Sequence, residues 1–153
     1  MGAKSLSMHF MSQALDCARK AFDENEVPVG AVVVKKGRVI GKGWNQVISQ
    51  KSVASHAEIN AILAASEYLK NHRLIDCDLY VTLEPCHMCA KAIIDARIKS
   101  LYFATMEPKS GAILSVDTFL DHTYQNHRVA YHHGYMQSES ADLLKYFFKS
   151  KRH

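Results

Sequence analysis

The chain begins with an amphipathic pattern, in which apolar residues recur at alternating steps of three and four from Met8 to Phe22. This spacing places them on one side of a helix, and it predicts a helix from about Leu6 to Asn25 with a polar opposite face. Two β-prone runs follow, Val29 to Val34 and Arg38 to Trp44. A short Lys-Lys-Gly segment separates them, so we predict a β-hairpin.

The middle of the chain alternates between helix and strand patterns. Ser55 is predicted to cap a second helix, because Glu58 three residues later completes a capping-box pattern before an apolar, helically spaced run. Residues 78–83 are strand-like and lead directly into Pro85. Proline is favoured at the first position of a helix, so we predict a third helix from there to about Ala96.

Two further strands and a last helix complete the predicted order. Residues 98–104 show a strand pattern and residues 129–135 a weaker one, with no clear pattern between them. The last helix is amphipathic, with four apolar residues on one side (Leu143, Leu144, Phe147, Phe148) and four cations around it (Lys145, Lys149, Lys151, Arg152). The resulting order, αββαβαβ(β)α, predicts one α/β domain over residues 1–153, a three-layer α/β/α sandwich with a mixed five-stranded central sheet.

Length, composition and charge indicate what kind of protein this is. The chain has 153 residues, of which 48% are hydrophobic, enough for one domain with a substantial core. Its net charge of 19 − 15 = +4 is compatible with a nucleic-acid partner. The first residues lack the apolar core of a signal peptide, and no run reaches the roughly 18 apolar residues of a membrane span, so we predict a cytoplasmic protein with no membrane partner.

Four cysteines in such a chain favour thiols or metal ligands over disulfides. Cys17 and Cys77 lie in apolar patterns and are predicted to be buried thiols. The other two belong to a motif, Pro85-Cys86-His87-Met88-Cys89, which follows His56-Ala57-Glu58 in the chain.

These two motifs contain the ligand types of a catalytic zinc site. A zinc ion with three protein ligands keeps its fourth tetrahedral position for water, whose pKa falls to about 7 on the metal. We predict that His56, Cys86 and Cys89 bind one Zn²⁺ per subunit. Glu58, two residues from His56, is predicted to reach the water and to carry protons in a hydrolytic reaction. Both motifs lie at predicted helix starts, where the helix dipole stabilises thiolates.

Other interpretations of the same residues are a closed structural zinc site, with His87 or Cys77 as fourth ligand, and a redox C-x-x-C pair. His87 lies at a different helical angle from the two cysteines and should point away from them. The redox interpretation leaves His56 and Glu58 unexplained. Glu58 taken alone would be only a helix cap, but beside His56 and a C-x-x-C motif the catalytic role is favoured.

The H-x-E and P-C-x-x-C motifs resemble those of the zinc nucleobase deaminases. Longer stretches are similar to one family of that superfamily, the bacterial tRNA-specific adenosine deaminases: EVPVGAVVV (26–34), GWN (43–45), SHAEINAI, RLIDCDLYVTLEPCHMC (73–89) and NHRV (126–129). The resemblance covers most of the chain. It implies a cytidine deaminase-like fold, a homodimer, and hydrolytic conversion of adenosine to inosine at the wobble position of the tRNA anticodon.

The resemblance also assigns roles by position. It implies that His56, Cys86 and Cys89 bind zinc, that Glu58 shuttles protons, and that Asn45 hydrogen-bonds a flipped base, although an Asn at a strand end can equally cap a turn. Val29 and Ala57 match residues lining the base pocket. The remaining candidates would face the RNA: Glu107, Lys109, Asn126, His127 and Arg128. Many relatives have Asp at the position of Glu107. The cations Lys145, Lys149, Lys151 and Arg152 are candidates for phosphate contacts with the anticodon stem-loop.

Two other functions compete with tRNA editing. A deaminase of free bases or nucleosides, such as guanine or cytidine, would share the zinc motif. A zinc-stapled RNA-binding module would need no uncoordinated carboxylate, so Glu58 argues against it. The basic last helix favours an RNA substrate over a small metabolite.

Overall fold

The computed structural model describes residues 2–151, and its strands are β1 (Gly30–Lys35), β2 (Arg38–Trp44), β3 (Cys77–Leu83), β4 (Ser100–Thr105) and β5 (Ala130–His133). They form a sheet in the order β2-β1-β3-β4-β5. β1 runs antiparallel to both β2 and β3, whereas β3, β4 and β5 are parallel. The prediction of a mixed five-stranded sheet is confirmed.

The helices of the described chain are α1 (Ala3–Asp23), α2 (Ala57–Leu69), α3 (His87–Asp95) and α4 (Gln137–Ser150), with a short 3-10 helix at Phe119–Asp121. Alternate residues of a strand face opposite sides of the sheet. In β1, Val32 and Val34 pack with Met11 of α1, while Ala31 and Val33 belong to the larger core that includes α2 and α3. The predicted three layers therefore form around two hydrophobic clusters.

A seam of small residues brings α2 unusually close to β2. A Cβ atom added to Gly41 would lie 2.5 Å from the carbonyl oxygen of Ala61, and one added to Gly43 would collide with the backbone of Ala57 and Ala61. Ala57, Ala61 and Ala65 are fully buried. The seam fixes the depth of α2 on the sheet, and with it the position of the helix start that carries His56 and Glu58.

The predicted capping box of α2 is wrong. The N-cap residue is His56 rather than Ser55, and the Ser55 hydroxyl accepts a hydrogen bond from the Asn60 side chain at 3.0 Å. The backbone N–H of Ala57, in the first turn, instead donates a hydrogen bond to the side chain of Asn45. Asn45 is 12 residues away in the sequence, and the fold brings it next to the helix start. A local pattern could not reveal this cap because its acceptor comes from the end of β2.

Other boundaries differ by a few residues. α3 begins at His87 with Cys86 as its N-cap, so Pro85 precedes the helix rather than starting it. α1 extends from Ala3 to Asp23 and ends before Asn25, whose φ of 61° is left-handed. In α4, Phe147 is buried as predicted, but Phe148 is 48% exposed.

No helix within residues 2–151 combines the length and apolar character needed to span a bilayer. Arg152, a predicted phosphate contact, lies outside the described residues.

Candidate active site

The three predicted metal ligands meet where two helices begin. His56 is the N-cap residue of α2, Cys86 is the N-cap residue of α3, and Cys89 lies one turn into α3. The Nδ1 atom of His56 is 3.7 Å from the Cys86 sulfur and 3.5 Å from the Cys89 sulfur. The backbone N–H groups of a helix start favour negative charge, so both thiols lie where thiolates are stabilised.

These distances fit a tetrahedral zinc ion. With Zn–S of about 2.3 Å and Zn–N of about 2.05 Å, tetrahedral geometry separates a sulfur from a nitrogen ligand by about 3.6 Å. All three ligand atoms lie within 4.8 Å of one another. The pKa of Cys86 is lowered to about 3, first by a hydrogen bond from the Cys89 thiol and then by His56, whereas that interaction and burial raise the pKa of Cys89. The pair therefore favours a thiolate at Cys86.

Glu58 lies in the first turn of α2, beside the predicted metal ligands. It is 4% exposed and lines the same cavity as His56 and Cys86. Burial raises its pKa to about 7, while the positive charge of His56 acts in the opposite direction. A bound cation would lower this pKa further. A buried carboxyl group next to a group of metal-binding side chains suits general acid–base chemistry.

The cavity beside these residues has a volume of about 650 Å³, which lies within the range of about 300–1,000 Å³ that is common for small-molecule sites. Its wall joins residues from the β2 end, the two helix starts and α4. Apolar side chains supply part of it, including Val27, Val29, Val47, Leu83 and Phe147. A flat heterocycle could be enclosed against this apolar wall with polar groups at one end.

Asn45 lines the cavity and holds the start of α2 as well. Its Oδ1 atom accepts a hydrogen bond from the backbone N–H of Ala57 at 2.8 Å. Because an N–H group requires an acceptor, this bond fixes the orientation of the amide and leaves its NH₂ group as the donor for a ligand. The two roles considered from sequence, a cap and a ligand contact, are therefore compatible. Val29 lines the cavity, but the side chain of Ala57 is fully buried in the core and lies outside the cavity wall.

The sequence-based reasoning missed two buried carboxylates in the cavity wall. Glu26, 2% exposed, accepts hydrogen bonds from the N–H groups of Ile48 and Ser49. Glu84, also 2% exposed, accepts hydrogen bonds from residues 107–115. Burial alone would raise the pKa of Glu84, but the hydrogen bonds of Leu114 and Ser115 outweigh it and lower the pKa below its usual value. The sequence contained one indication of the buried role of Glu84: it is a charged residue placed directly between a buried strand and Pro85.

The predicted RNA-facing residues separate into two groups. Glu107 lines the cavity and accepts a hydrogen bond from the N–H of Lys109. His127 and Arg128 do not line it, and they bond to backbone carbonyl groups, His127 to Ile98 at 2.8 Å and Arg128 to Leu120 and His122. Asn126 is exposed and lies outside the cavity wall as well.

A second cavity of about 850 Å³, which we call the basic groove, lies beside the first. It is lined by Glu107, Lys109, Leu144, Lys145, Phe148, Lys149 and Lys151. Glu107 and Lys151 border both cavities, so the two cavities are adjacent. Lys145 and Lys149 are exposed, whereas Lys151 donates a hydrogen bond to Asn25 at 2.6 Å and lies over the ring of Phe147.

The remaining candidates for a closed metal site are placed elsewhere. Cys17 and Cys77 are buried at 2% and 0% exposure, and burial raises the pKa of both thiols, as expected for inert core residues. His87 points away from the ligand cluster and hydrogen-bonds Asp117 at 2.8 Å. Within residues 2–151, His56, Cys86 and Cys89 form the group able to hold a metal ion, and neither Cys77 nor His87 joins it.

The known proteins that this chain resembles are described as deaminases. The family model of the MafB19-like deaminases matches residues 7–152. A tRNA-specific adenosine deaminase of Agrobacterium fabrum is 46% identical over 144 residues, which cover 94% of this chain and 95% of that protein. The enzyme of the same name from Aquifex aeolicus is 42% identical over the same shares of the two chains.

Two solved structures are also similar. One, from a study of A-to-I editing by tRNA:A34 deaminases at the wobble position, has a TM-score of 0.86 and 46% identity, covering 88% of this chain and 98% of that one. A guanine deaminase from Nitrosomonas europaea has a TM-score of 0.78 and 26% identity, covering 92% of this chain and 83% of its own. Both share the overall fold of this chain.

Proposed function

Because this chain belongs to the MafB19-like deaminases and, within them, to the family of the tRNA-specific adenosine deaminases, we propose that it deaminates adenosine to inosine at the wobble position of the tRNA anticodon. The reaction is hydrolytic: water supplies the oxygen of inosine, and the exocyclic amino group leaves as ammonia. The buried carboxyl group of Glu58, beside three metal-binding side chains in a cavity large enough for a base, carries this proposal.

We propose zinc as the bound ion, one per chain, held by His56, Cys86 and Cys89. The nitrogen and sulfur donor set and the distances of 3.5 and 3.7 Å support zinc over a hard cation such as Mg²⁺, which prefers oxygen ligands. When bound, zinc would supply a water molecule activated for attack on the base.

Glu58 would move the protons of the reaction. It would take a proton from the attacking water and deliver it to the ring nitrogen next to the carbon under attack. It would then take the remaining proton of the added hydroxyl group and pass it to the amino group, which leaves as ammonia while the carbonyl group of inosine forms. One carboxyl group serves these transfers in turn, which requires it to be a base first and an acid afterwards. Its burial beside the three metal-binding side chains supports both roles.

Two substitutions of Asn45 can separate an effect on base binding from an effect on protein stability. Asn45→Ala should destabilise the protein by about 1–3 kcal/mol, because the N–H of Ala57 loses its acceptor. Asn45→Asp keeps an acceptor for that N–H, so its thermal stability should remain near that of the parent, while the NH₂ donor for the base is lost. Thermal unfolding and steady-state kinetics separate the two effects. If Asn45→Asp retains the parental KM and kcat, Asn45 is a helix cap without a substrate role.

The basic groove supports an RNA substrate. It adjoins the cavity beside His56 and Glu58, which we call the base cavity, at Glu107 and Lys151. It also carries the exposed cations Lys145 and Lys149. A base turned out of a hairpin loop into the cavity would leave its neighbouring phosphates near this groove. Enclosing one base while binding the flanking backbone is the arrangement that a nucleic-acid deaminase requires.

Replacing Lys145 and Lys149 by Gln should weaken binding of an anticodon stem-loop and raise KM more than it lowers kcat, because phosphate contacts provide uniform binding. Each contact to single-stranded RNA contributes about 0.7 to the slope of log affinity against log salt concentration, so the slope should flatten by about 1.4. Fluorescence titration over a salt series measures it. Lys36 and Arg38, exposed at the β1–β2 turn, provide a charge-matched control pair. An equal effect of the control pair would mean that general charge, rather than the groove, binds RNA.

One assay separates adenosine editing from deamination of free bases. The protein is incubated with an anticodon stem-loop containing wobble adenosine, and separately with free adenosine, guanine and cytidine, and inosine and ammonia are measured. We expect strong preference for the stem-loop, because a free nucleoside lacks the flanking contacts. The guanine deaminase among the structural neighbours makes free guanine the informative competitor. Turnover of guanine instead of the stem-loop would contradict the proposed substrate.

The family resemblance further supports a homodimer, and a tRNA substrate favours a cytoplasmic location. Sedimentation velocity of the purified chain tests the first of these directly.

A further inference from the structure

The carboxylate of Glu84 is surrounded by hydrogen-bond donors rather than by a cation. One oxygen, Oε2, accepts from the backbone N–H groups of Ile113, Leu114 and Ser115 at 2.8–3.1 Å. The other, Oε1, accepts from the N–H of Glu107 at 3.0 Å and from the Ser115 hydroxyl. Among residues 2–151, Glu84 forms no ion pair. A buried charge satisfied in this way fixes the groups that bond to it, because each would otherwise be left unpaired.

All of these donors belong to one segment, residues 106–116, which follows β4 and which we call the β4 loop. Both ends of the loop bond to Glu84, so a single side chain closes it. Backbone hydrogen bonds add to the closure, from Gly111 N–H to the Glu107 oxygen and from Ala112 N–H to the Pro85 oxygen. The loop is thereby tied to residues 84 and 85, immediately before the ligand Cys86.

The β4 loop forms the substrate-facing rim of both cavities. Glu107 and Ser110 line the base cavity, and Glu107 and Lys109 line the basic groove. Lys109 and Ser110 are exposed, so these residues depend on the loop backbone for their positions.

Gly111 shows how closely the loop covers the carboxylate. A Cβ atom at this position would collide with the Glu84 carboxylate itself. The φ of Gly111 does not lie in the left-handed region, so the restriction comes from contact with Glu84 rather than from backbone strain.

We propose that Glu84 is a positioning residue, which sets the β4 loop against the metal-binding start of α3 and thereby determines the affinity for the RNA flanking the reacting base. This inference rests on the proposed function for its substrate. Glu84 acts through Glu107, Lys109 and Ser110 and takes no part in the proton transfers. A residue that served only to stabilise the fold would affect unfolding without a selective effect on substrate affinity.

Glu84→Gln tests the proposal with minimal change in shape. The side-chain oxygen of Gln can keep the three N–H donors on the Oε2 side, and its NH₂ group can donate to the Ser115 hydroxyl. The NH₂ group then faces the N–H of Glu107, which loses its acceptor. We expect zinc content to stay at about one per chain, KM for the stem-loop to rise about tenfold, and kcat to change by less than about threefold, the pattern of lost uniform binding.

Gly111→Ala provides a second variant that leaves the charge intact. The added methyl group should displace the loop from Glu84, so this variant should reproduce the rise in KM. Ser115→Ala removes only the hydroxyl donor and should have a smaller effect. Val34→Ala is the stability control, because Val34 is 5% exposed and pairs with Asp78 at the other end of β3 from Glu84. It should lower the melting temperature without changing KM.

Amide hydrogen exchange gives a readout that does not depend on activity. In Glu84→Gln and Gly111→Ala, exchange at residues 107 and 113–115 should accelerate, while exchange in α1 stays unchanged. If the parent protein does not deaminate the stem-loop, the proposed function fails, but this exchange result still tests the tie between Glu84 and the loop. Loss of zinc, a fall in kcat with unchanged KM, or parental exchange in the loop would each overturn the positioning role.

Discussion

A Glu58→Gln variant is expected to bind about one zinc ion per chain and to lose nearly all turnover. Positioned acid–base groups typically contribute about 10²–10⁴-fold to rate, and here one carboxyl group serves several transfers, so we expect a loss at or above the upper end of that range. Glutamine has the shape of glutamate but cannot accept and return a proton. Metal analysis together with the rate of inosine formation measures the separation.

Glu26→Gln provides the matched control, because Glu26 is an equally buried carboxyl group in the same cavity wall that bonds to Ile48 and Ser49 instead of facing the metal ligands. It should lose some stability and far less turnover. Near-parental activity of Glu58→Gln would show that Glu58 is only a residue of the first helical turn, and the proposed mechanism would be wrong.

Removal of either metal-binding cysteine should have the largest effect on stability. Cys86→Ala and Cys89→Ala are expected to lose zinc and to unfold at a clearly lower temperature, because the proposed ion would join the starts of α2 and α3. Structural zinc contributes on the order of 10 kcal/mol in small zinc-folded peptides, and a part of that is expected here because the hydrophobic core also stabilises the fold. Zinc analysis and thermal unfolding of the purified variants test this.

The other two cysteines serve as controls. Cys17→Ala and Cys77→Ala should retain about one zinc per chain, with a modest loss of stability from the cavity left in the core. Loss of zinc from Cys77→Ala would indicate a closed structural site with a fourth protein ligand, and it would argue against catalysis at this metal.

The layered fold was predictable because apolar residues repeat at different intervals in strands and in helices, about every 2 and about every 3.6 residues. The α1 stripe around Met11 and the alternation in β1 each point to one face of the sheet, and the structure uses both faces. Helix ends were less predictable. Ser55 has the residue type of an N-cap, yet Asn45 provides the hydrogen bond, and no local pattern contains a contact across 12 residues.

The clustering of His56, Cys86 and Cys89 near Glu58 was predictable, because the spacing within each motif is short and the residue types are chemically specific. The positions of the RNA-facing candidates were not, because an exposed cation has the same sequence signal whether it faces a substrate or its own backbone. Arg128 bonds to two carbonyl groups of the chain, whereas Lys145 lines the basic groove. Glu84 and Glu26 were missed for a related reason: their partners are backbone N–H groups, which every residue type except proline has, so the sequence contains no sign of the contact.

We expect few amino-acid substitutions to be tolerated in the seam between α2 and β2, which consists of Gly41, Gly43, Ala57, Ala61 and Ala65. None of these residues lines the base cavity. One added methyl group at Gly41 or Gly43 would lift the helix, and its first turn would carry His56 and Glu58 away from the cysteines. Random mutagenesis with selection for activity should therefore return many substitutions at the exposed positions Leu63 and Tyr68 of the same helix, and almost none at the seam. Attempts to enlarge the base cavity should leave these glycines and alanines alone, since they align His56 with Cys86 and Cys89.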